Sequence, residues 1–341
     1  MRILTKLKEW KECIAKKMHS RMLRSNYNES WEPWMKKRFE FVLKNYRLFD
    51  FKWREPRRVI VYMTDKSEVS GLADRLRTMR CAYVIAAESK RRFYIYHDKG
   101  FRLEDYLEPN EVDWRIKPEQ ISFGLNRIVI SFFITHFQRL KRWKEYHFYK
   151  TLCVVNTEGF LPDNLKGKYS DHIVSRKLFK YSPRLIELVE HNMRKENLKE
   201  KEYVCIHVRF TNFFEKVETY GRVQSTKEQR LLTIKRVKAT IKKIYKDTDC
   251  KKIVLLSDSN FFLQLKHADY VHILQGEVNH ISKEKDGHSI VDKTFLDLLI
   301  MAKSKAIYSV VGEHIYGGGF AQDASYLEDT PYYTIPLVMD V

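Results

Sequence analysis

Residues 202–215 read EYVCIHVRFTNFFE, and this stretch decides the fold class of the chain. A run of β-forming residues, Tyr203–Ile206, leads into His207 and Arg209 and then into a polar and aromatic loop. Because side chains alternate along a strand, His207 and Arg209 share one face. A buried strand of a parallel sheet would present both side chains at its carboxyl end, where open α/β sheets bind their ligands. The alternative is an edge strand whose polar face meets water.

Strand-like and helix-like segments alternate on both sides of this stretch. Before it, the pattern predicts strands at 57–63, 92–96 and 152–156, helices at 72–89 and 182–194, and a buried helix over the apolar run 128–137. After it, the pattern predicts strands at 253–256, 271–274 and 306–311 and helices at 227–247 and 294–303. Such alternation is typical of parallel sheets with right-handed crossovers. The charged segment 195–202 separates the two halves, so we expect a basic helical extension over 1–55 and α/β domains over 56–198 and 199–341.

Composition favours a soluble cytoplasmic protein. The chain has 341 residues, of which 44% are hydrophobic and 31% are charged. No window approaches the ~20 apolar residues that span a bilayer, and the charged start lacks the apolar core of a secretory signal. The five cysteines form no C-x-x-C pair, which argues against a disulfide scaffold and a zinc ribbon.

The net charge of +19 is concentrated near the start of the chain. Residues 1–60 hold 17 Lys and Arg against 7 Asp and Glu, an excess of 10. Residues 1–24 place an apolar stripe at helical spacing among Lys and Arg residues. Three interpretations stay open: a peripheral anchor on the anionic inner face of a membrane, a helix docked on the protein, and a nucleic-acid arm. The chain carries no known nucleic-acid module, which disfavours the third.

Four clusters of candidate site residues fall at predicted strand ends or in the loops beyond them. Glycine at a turn lets a ligand approach the backbone, helix N-termini favour anions, and three successive glycines leave N–H groups uncovered. Split between two domains, the clusters suggest a cleft. They are Gly71 with Asp74 and Arg75; His207 with Arg209; Asp258 with Ser257 and Ser259; and Gly312, Glu313 and His314 with the glycines at 317–319.

Several competing chemistries lack their motifs. The sequence contains no G-x-x-x-x-G-K-[ST] loop, no H-E-x-x-H or paired His/Cys metal signature, and no G-x-S-x-G elbow. Its one D-x-D triplet, Asp247–Asp249, stands at the end of the predicted helix 227–247 and outside the four clusters, so these clusters lack the usual carboxylate platform for a metal-held nucleotide diphosphate. We therefore expect no metal and no cofactor, and a nucleotide sugar bound here would have its charge offset by cationic and backbone groups.

Four segments of the sequence resemble the motifs of the GDP-fucosyltransferase superfamily. Their order and spacing match over about three quarters of the chain. The segment 70–110, which begins SGLADRL, resembles its N-terminal G-x-G-[DN] signature, and HVRF at 207–210 resembles H-[VL]-R-R-x-D. LLSDS at 255–259 and FLDLLIMAKSKAIYSVVGEHIYGGGFA at 295–321 resemble its later motifs. The resemblance implies a GT-B fold, in which two Rossmann-like domains with parallel sheets face each other across a cleft.

The resemblance also implies an inverting transfer of fucose from GDP-fucose to a glycan hydroxyl. By motif position, Arg209 would hold the β-phosphate with His207 beside it, and Asp297 would receive the guanine edge. Asp258 would lie near the nucleotide. Donor-binding candidates by position are also Ser259, Gly312, Glu313 and His314, with Gly71, Asp74 and Arg75 on the other domain. A surface-polysaccharide or lipid-linked acceptor would suit a cytoplasmic chain with a basic amphipathic start.

The chain departs from the family pattern at the phosphate site. Phe210 replaces the second Arg of the motif, and Asn212 replaces its usual acid. Glu313 falls where Ser and Thr hydroxyls usually contact phosphate, and a carboxylate there repels a diphosphate unless it is paired or turned away. Glu215 and Glu218 are the candidate catalytic bases. A fold-mate that binds a glycan without turnover remains an alternative.

Overall fold

The computed structural model describes most of the chain from residue 58 onward. Described are 58–64, 70–97, 100–117, 165, 167–215, 225–283 and 288–339, together with the backbone of 127–131 and 151–155. The predicted basic extension over 1–55, including the stripe of 1–24, lies outside these residues, as does Glu218. Among the described helices, none is long and apolar enough to cross a membrane.

The described residues form two compact units. The first holds 58–64, 77–97, 112–117, 127–131, 151–155 and 165, and the second holds 70–76, 100–111 and everything described from 167 onward. The charged segment 195–202, where the sequence placed the domain boundary, therefore lies inside the second unit.

The first unit is built on a four-stranded parallel sheet. Its strands are β1 (Val59–Thr64), β2 (Arg92–His97), β4 (Arg127–Ser131) and β5 (Thr151–Val155), in the order β2-β1-β5-β4. Helix α1 (Leu72–Glu88) follows β1 and precedes β2 along the chain. All six residues of β1 are buried, as expected for a strand within a parallel sheet covered on both faces.

One prediction in this region is wrong. The apolar run 128–137 was expected to begin a buried helix, but 127–131 form the strand β4, which pairs in parallel with β5. A short apolar run has the same pattern in a buried strand and in a buried helix, so periodicity alone does not separate the two. The β-branched residues Ile128, Val129 and Ile130 favour the strand. Residues 132–137 lie outside the described part of the chain.

The second unit is built on a five-stranded parallel sheet. Its strands are β7 (Val204–Val208), β8 (Ile253–Ser257), β9 (Val271–His272), β10 (Ala306–Val311) and β11 (Tyr332–Pro336), in the order β11-β10-β7-β8-β9. Residues 202–215 therefore contain the central strand, and all five residues of β7 are buried. The alternative of an edge strand with a wet polar face is wrong.

Seven helices of the described residues connect or flank these strands. Beside α1 they are α2 (Asp171–Leu178), α3 (Pro183–Lys195), α4 (Lys227–Asp247), α5 (Asn260–Leu263), α6 (Ser289–Ala302) and α7 (Gly319–Glu328). Side-chain caps mark the starts of α3, α4 and α5. Ser182 Oγ accepts the Leu185 N–H at the start of α3 at 3.1 Å, and Thr226 and Gln229 form a reciprocal capping box at the start of α4.

Residues 100–111 belong to the second unit and contact its helices α6 and α3. Strand β3 (Leu107–Pro109) pairs antiparallel with β6 (Phe179–Tyr181). The Tyr106 ring stacks on Phe295 with a centroid separation of 4.3 Å, and its hydroxyl donates to the Asp292 carboxylate at 2.5 Å. That carboxylate also accepts two hydrogen bonds from Arg184, at 2.8 and 3.0 Å. Burial and the neighbouring carboxylate raise the pKa of Tyr106, so its hydroxyl stays a donor.

Candidate functional site

The site lies at the carboxyl edge of the sheet in the second unit. Strand order places β10, β7 and β8 side by side, so the loops that follow these three strands leave the sheet at the same edge. Three of the four clusters predicted from the sequence sit in these loops. The structure thus brings together the His207, Asp258 and Gly312 clusters.

His207 and Arg209 meet Gly318 at this edge. A Cβ atom on Gly318 would stand 3.1 Å from Arg209 Cδ and 3.5 Å from His207 Cε1, so the glycine lies directly against both side chains. Gly318 is the N-cap residue of α7. The first backbone N–H groups of a helix have no intrahelical acceptor and carry partial positive charge. The Arg209 and His207 side chains therefore both pack against the start of α7.

His207 is buried and neutral. Only 5% of its surface is exposed, and its Nδ1 atom has no hydrogen-bond partner among the described residues. Burial, and then the neighbouring Arg209 charge, lower the pKa of His207 from 6.5 to about 4. Its register partner on β10, Ser309, is also buried, and its hydroxyl has no hydrogen-bond partner within the part of the chain that the structure describes. At neutral pH the positive charge of the His207 and Arg209 pair therefore resides on Arg209.

Asp258 holds the loop that follows β7. Its two carboxylate oxygens accept the N–H groups of Phe210 and Thr211, each at 2.7 Å. Thr211 has a φ of 57°, a left-handed backbone that needs such support. Burial raises the pKa of Asp258 to about 6, against the two N–H donors, which favour the charged form. Asp258 thus sets where the loop after Arg209 runs.

Ser259 and Glu215 belong to the start of α5. The Ser259 hydroxyl accepts the Phe262 N–H at 3.2 Å and donates to Glu215 Oε1 at 2.9 Å. The same Glu215 oxygen accepts the Phe261 N–H at 3.0 Å. Glu215 is therefore occupied as a helix-start acceptor, and its assignment as a catalytic base stays a prediction.

The turn after β10 directs the Glu313 side chain toward α4 and the His314 side chain toward the loop after β7. Gly312 and Ile315 exchange backbone hydrogen bonds at 3.0 and 3.1 Å, which closes a tight turn. The Glu313 carboxylate lies 3.7 Å from the Arg236 guanidinium of α4. His314, with a φ of 61°, stacks on the Phe213 ring at a centroid separation of 4.7 Å. Glu313 is thus a paired carboxylate. This pairing meets the condition under which a carboxylate at this position does not repel a diphosphate.

Asp297 is buried in α6 and is paired within its own helix. Lys293 Nζ lies 2.5 Å from Asp297 Oδ1, one turn away, and both side chains are less than 10% exposed. Burial raises the pKa of Asp297, and the Lys293 charge opposes that shift. The Lys293 stem runs past Gly276, whose φ of 107° only glycine adopts readily. Sequence reasoning found Asp297 but missed Lys293, although the i, i+4 spacing signals such a pair.

The Gly71 cluster lies at the start of α1. A Cβ on Gly71 would stand 3.9 Å from an Asp74 carboxylate oxygen and 4.0 Å from His280 Nε2. Arg75 is fully buried, and its Nε donates to the Ser70 carbonyl at 3.3 Å. By compactness this turn groups with the second unit, whereas the sequence assigned it to the N-terminal domain. His280 gave no signal in the sequence that would have linked it to Gly71.

No cluster of three or more His, Cys, Asp or Glu side chains among the described residues is arranged to hold a metal ion. The side chains grouped around Gly318 are instead a cation and a neutral imidazole. This combination, with the helix N-terminus, suits an anionic ligand such as a diphosphate.

Comparison of the sequence with protein-family models and with curated proteins found no match. Solved structures do match. An Arabidopsis thaliana FUT1 mutant in complex with GDP aligns with a TM-score of 0.54 at 12% identity, covering 95% of this chain and 78% of that one. NodZ α-1,6-fucosyltransferase soaked with GDP-fucose gives 0.51 at 14% identity, covering 80% and 93%. NodZ from Bradyrhizobium gives 0.53 at 14% identity, covering 79% and 91%. The predicted resemblance is thereby confirmed at the level of the fold.

Proposed function

We propose that this chain, which has the fold of solved GDP-fucosyltransferases, is a glycosyltransferase that moves fucose from GDP-fucose to a hydroxyl of a glycan. The shared fold supports the reaction class, since two of the three matched structures were solved with GDP or GDP-fucose. The anion-binding edge of the second unit supports the donor. The proposed transfer inverts the sugar and uses no metal and no cofactor.

One observation carries the proposal, namely the position of Gly318 against both Arg209 and His207. Because Gly318 has no side chain, Arg209 and His207 can pack directly against the start of α7. When the bond between fucose and the diphosphate breaks, negative charge grows on the leaving β-phosphate. In the proposed mechanism, Arg209 and the first N–H groups of α7 stabilise that charge, since electrostatic stabilisation of developing charge is usually the largest contribution to catalysis.

The other residues would position the donor. Asp258 fixes the loop after Arg209 through its two backbone hydrogen bonds, so it acts through the backbone and need not touch the phosphate. Asp297 remains our candidate for the guanine edge, with Lys293 already on one of its oxygens. A carboxylate pairs with the N1–H and N2–H donors of guanine, and its remaining lone pairs would serve them. The acceptor would be a surface-polysaccharide or lipid-linked saccharide, and the catalytic base is unassigned.

The experiment compares the parent chain with Arg209→Lys. GDP release from GDP-fucose is followed in EDTA, with and without candidate glycan acceptors. Lysine keeps the charge but not the planar fork, so we expect turnover to fall about 10²–10³-fold while the melting temperature is unchanged. Arg184→Lys is the control, because the Arg184 guanidinium donates to Asp292 and not to the residues grouped around Gly318.

Three results would count against the proposal. Near-parental turnover of a folded Arg209→Lys chain would remove Arg209 from the site. Strict dependence of turnover on Mn²⁺ or Mg²⁺ would contradict the proposed metal-independent mechanism. A clear preference for UDP over GDP in a thermal-shift competition would contradict GDP-fucose as the donor. In that assay a ligand at about 100 times its Kd should stabilise the chain by roughly 2.7 kcal/mol.

A further inference from the structure

The outer face of α4 carries a strong excess of positive charge. The helix holds eight Lys and Arg against two acidic residues, Glu228 and Asp247, which stand at its two ends. The inner face packs on the sheet through Thr233, Val237, Thr240, Ile241 and Ile244. The opposite side of α4 therefore faces solvent, and its basic side chains do not pack in the hydrophobic core.

One stripe of that outer face combines lysines with leucine. Leu231, Lys235, Lys242 and Lys246 follow one another at spacings of four, seven and four residues, which align on one side of a helix. All four are exposed. Leu231 is 57% exposed, and its neighbour Leu232 is 41% exposed. None of the three lysines forms an ion pair within the part of the chain that the structure describes.

The two exposed leucines stand at the end of α4 that is nearest the candidate site. The Arg230 guanidinium donates from Nε to Ser225 Oγ at 2.8 Å, and Ser225 Oγ donates to the Phe213 carbonyl at 2.6 Å. Phe213 belongs to the loop that follows Arg209 on β7. The leucine end of the helix is therefore tied to the same loop that Asp258 holds.

We propose that this basic helix face, defined as Leu231, Leu232, Lys235, Lys242 and Lys246, docks on an anionic lipid bilayer. Exposed leucines flanked by lysines match a surface that offers both negative headgroups and an apolar interior. A nucleic acid would use the lysines on its phosphates but would leave both leucines in water. The proposal does not rest on the donor assignment, because docking involves none of the residues that face Gly318.

Docking would have a consequence for the acceptor. A bilayer bound along this face would lie next to the carboxyl edge of the sheet, where Arg209 stands. An acceptor saccharide carried on a lipid in the same bilayer would then be presented near that edge. Vesicle binding itself needs neither donor nor acceptor, so it can succeed or fail independently of the transferase assay.

The test measures partition of the full chain onto sedimentable vesicles. Phosphatidylserine-containing vesicles are compared with pure phosphatidylcholine vesicles, for the parent and for the triple variant Lys235→Gln, Lys242→Gln, Lys246→Gln. A basic residue near an anionic surface changes partition roughly fivefold, so the triple variant should bind about 100-fold more weakly. Because all three side chains are exposed, the melting temperature should not change.

A second variant tests the apolar part of the face. Leu231→Gln with Leu232→Gln should weaken vesicle binding at constant charge, whereas Ile186→Gln should not. Ile186 is 42% exposed on α3, a helix that contains the acidic residues Glu187 and Glu190 as well as basic residues. It is therefore a matched exposed apolar side chain on a helix without a strong basic excess.

Every variant keeps residues 1–24, so a loss of binding reports on α4 alone. Parental partition of the triple variant would overturn the proposal and would assign any vesicle binding to another part of the chain. Equal binding of the parent to charged and uncharged vesicles would also overturn it. So would salt-sensitive binding of RNA that falls in the triple variant but is unchanged in the leucine variant, combined with no vesicle binding.

Discussion

Replacing His207 with glutamine should flatten the acid dependence of stability. His207 is 5% exposed, and its pKa is lowered from 6.5 to about 4 by burial and by Arg209. A lowered folded-state pKa means that the neutral histidine favours folding above pH 6.5. That contribution is lost as the pH falls toward the folded pKa of about 4, because the unfolded chain binds the proton first.

The size of the effect follows from the two pKa values. At about pH 5 nearly all unfolded chains carry the proton on this histidine, whereas few folded chains do, so folding loses on the order of 2 kcal/mol relative to about pH 7.5. Asp258, whose pKa is raised to about 6, changes stability in the opposite direction over part of this range. The Asp258 contribution is common to both chains and cancels in the comparison.

Urea unfolding at the two pH values, for the parent and for His207→Gln, measures this difference. The parent should lose about 2 kcal/mol more of its free energy of unfolding than the variant between about pH 7.5 and pH 5. Equal losses in the two chains would refute the argument, since His207 would then titrate at its ordinary pKa. A direct NMR titration of the imidazole would then give the pKa of His207 in the folded chain.

Two further predictions concern packing near the site, and urea unfolding at neutral pH measures both. Gly312→Ala should cost about 1–3 kcal/mol of the free energy of unfolding, because its Cβ would stand 2.7 Å from Leu337 Cβ. Gly317→Ala, whose Cβ would meet its nearest neighbour at an ordinary 3.4 Å, should cost much less; equal costs would contradict the clash. Lys293→Met should cost roughly 3–5 kcal/mol because it leaves the Asp297 carboxylate buried and unpaired. Adding Asp297→Leu should recover most of that loss, and a double variant no more stable than Lys293→Met would contradict the buried pair.

Local patterns in the sequence determined most of the second unit. The segment 227–247 was predicted as a helix and is α4 with the same bounds, because a capping box and an apolar stripe both mark it. The strand over 306–311 was likewise found. By contrast, β11 was missed, because its residues are largely exposed and carry no buried-strand pattern. The run at 128–137 was misread because a short apolar segment lacks a distinguishing period.

The sequence also determined the chemistry at the carboxyl end of β7. Alternation alone put His207 and Arg209 on one face, and the order of the motifs pointed to the fold that the solved structures confirm. The tertiary structure, by contrast, determined which partners the neighbouring carboxylates have. Glu313 is paired with Arg236, 77 positions earlier in the chain, and Asp258 is bonded to the backbone of the Arg209 loop. Sequence spacing does not encode such contacts, because they depend on which strands become neighbours in the sheet.

The burial of His207 and the approach of Gly318 are likewise properties of the packed unit alone. A histidine in the isolated sequence has an ordinary pKa, and only the surrounding strands and α7 remove it from water. The glycine run at 317–319 indicated a possible anion nest, but its distance from Arg209 is set by the pairing of β7 with β10. Residue type and period are local and can be read from the chain, whereas dielectric environment and distance belong to the assembled sheet.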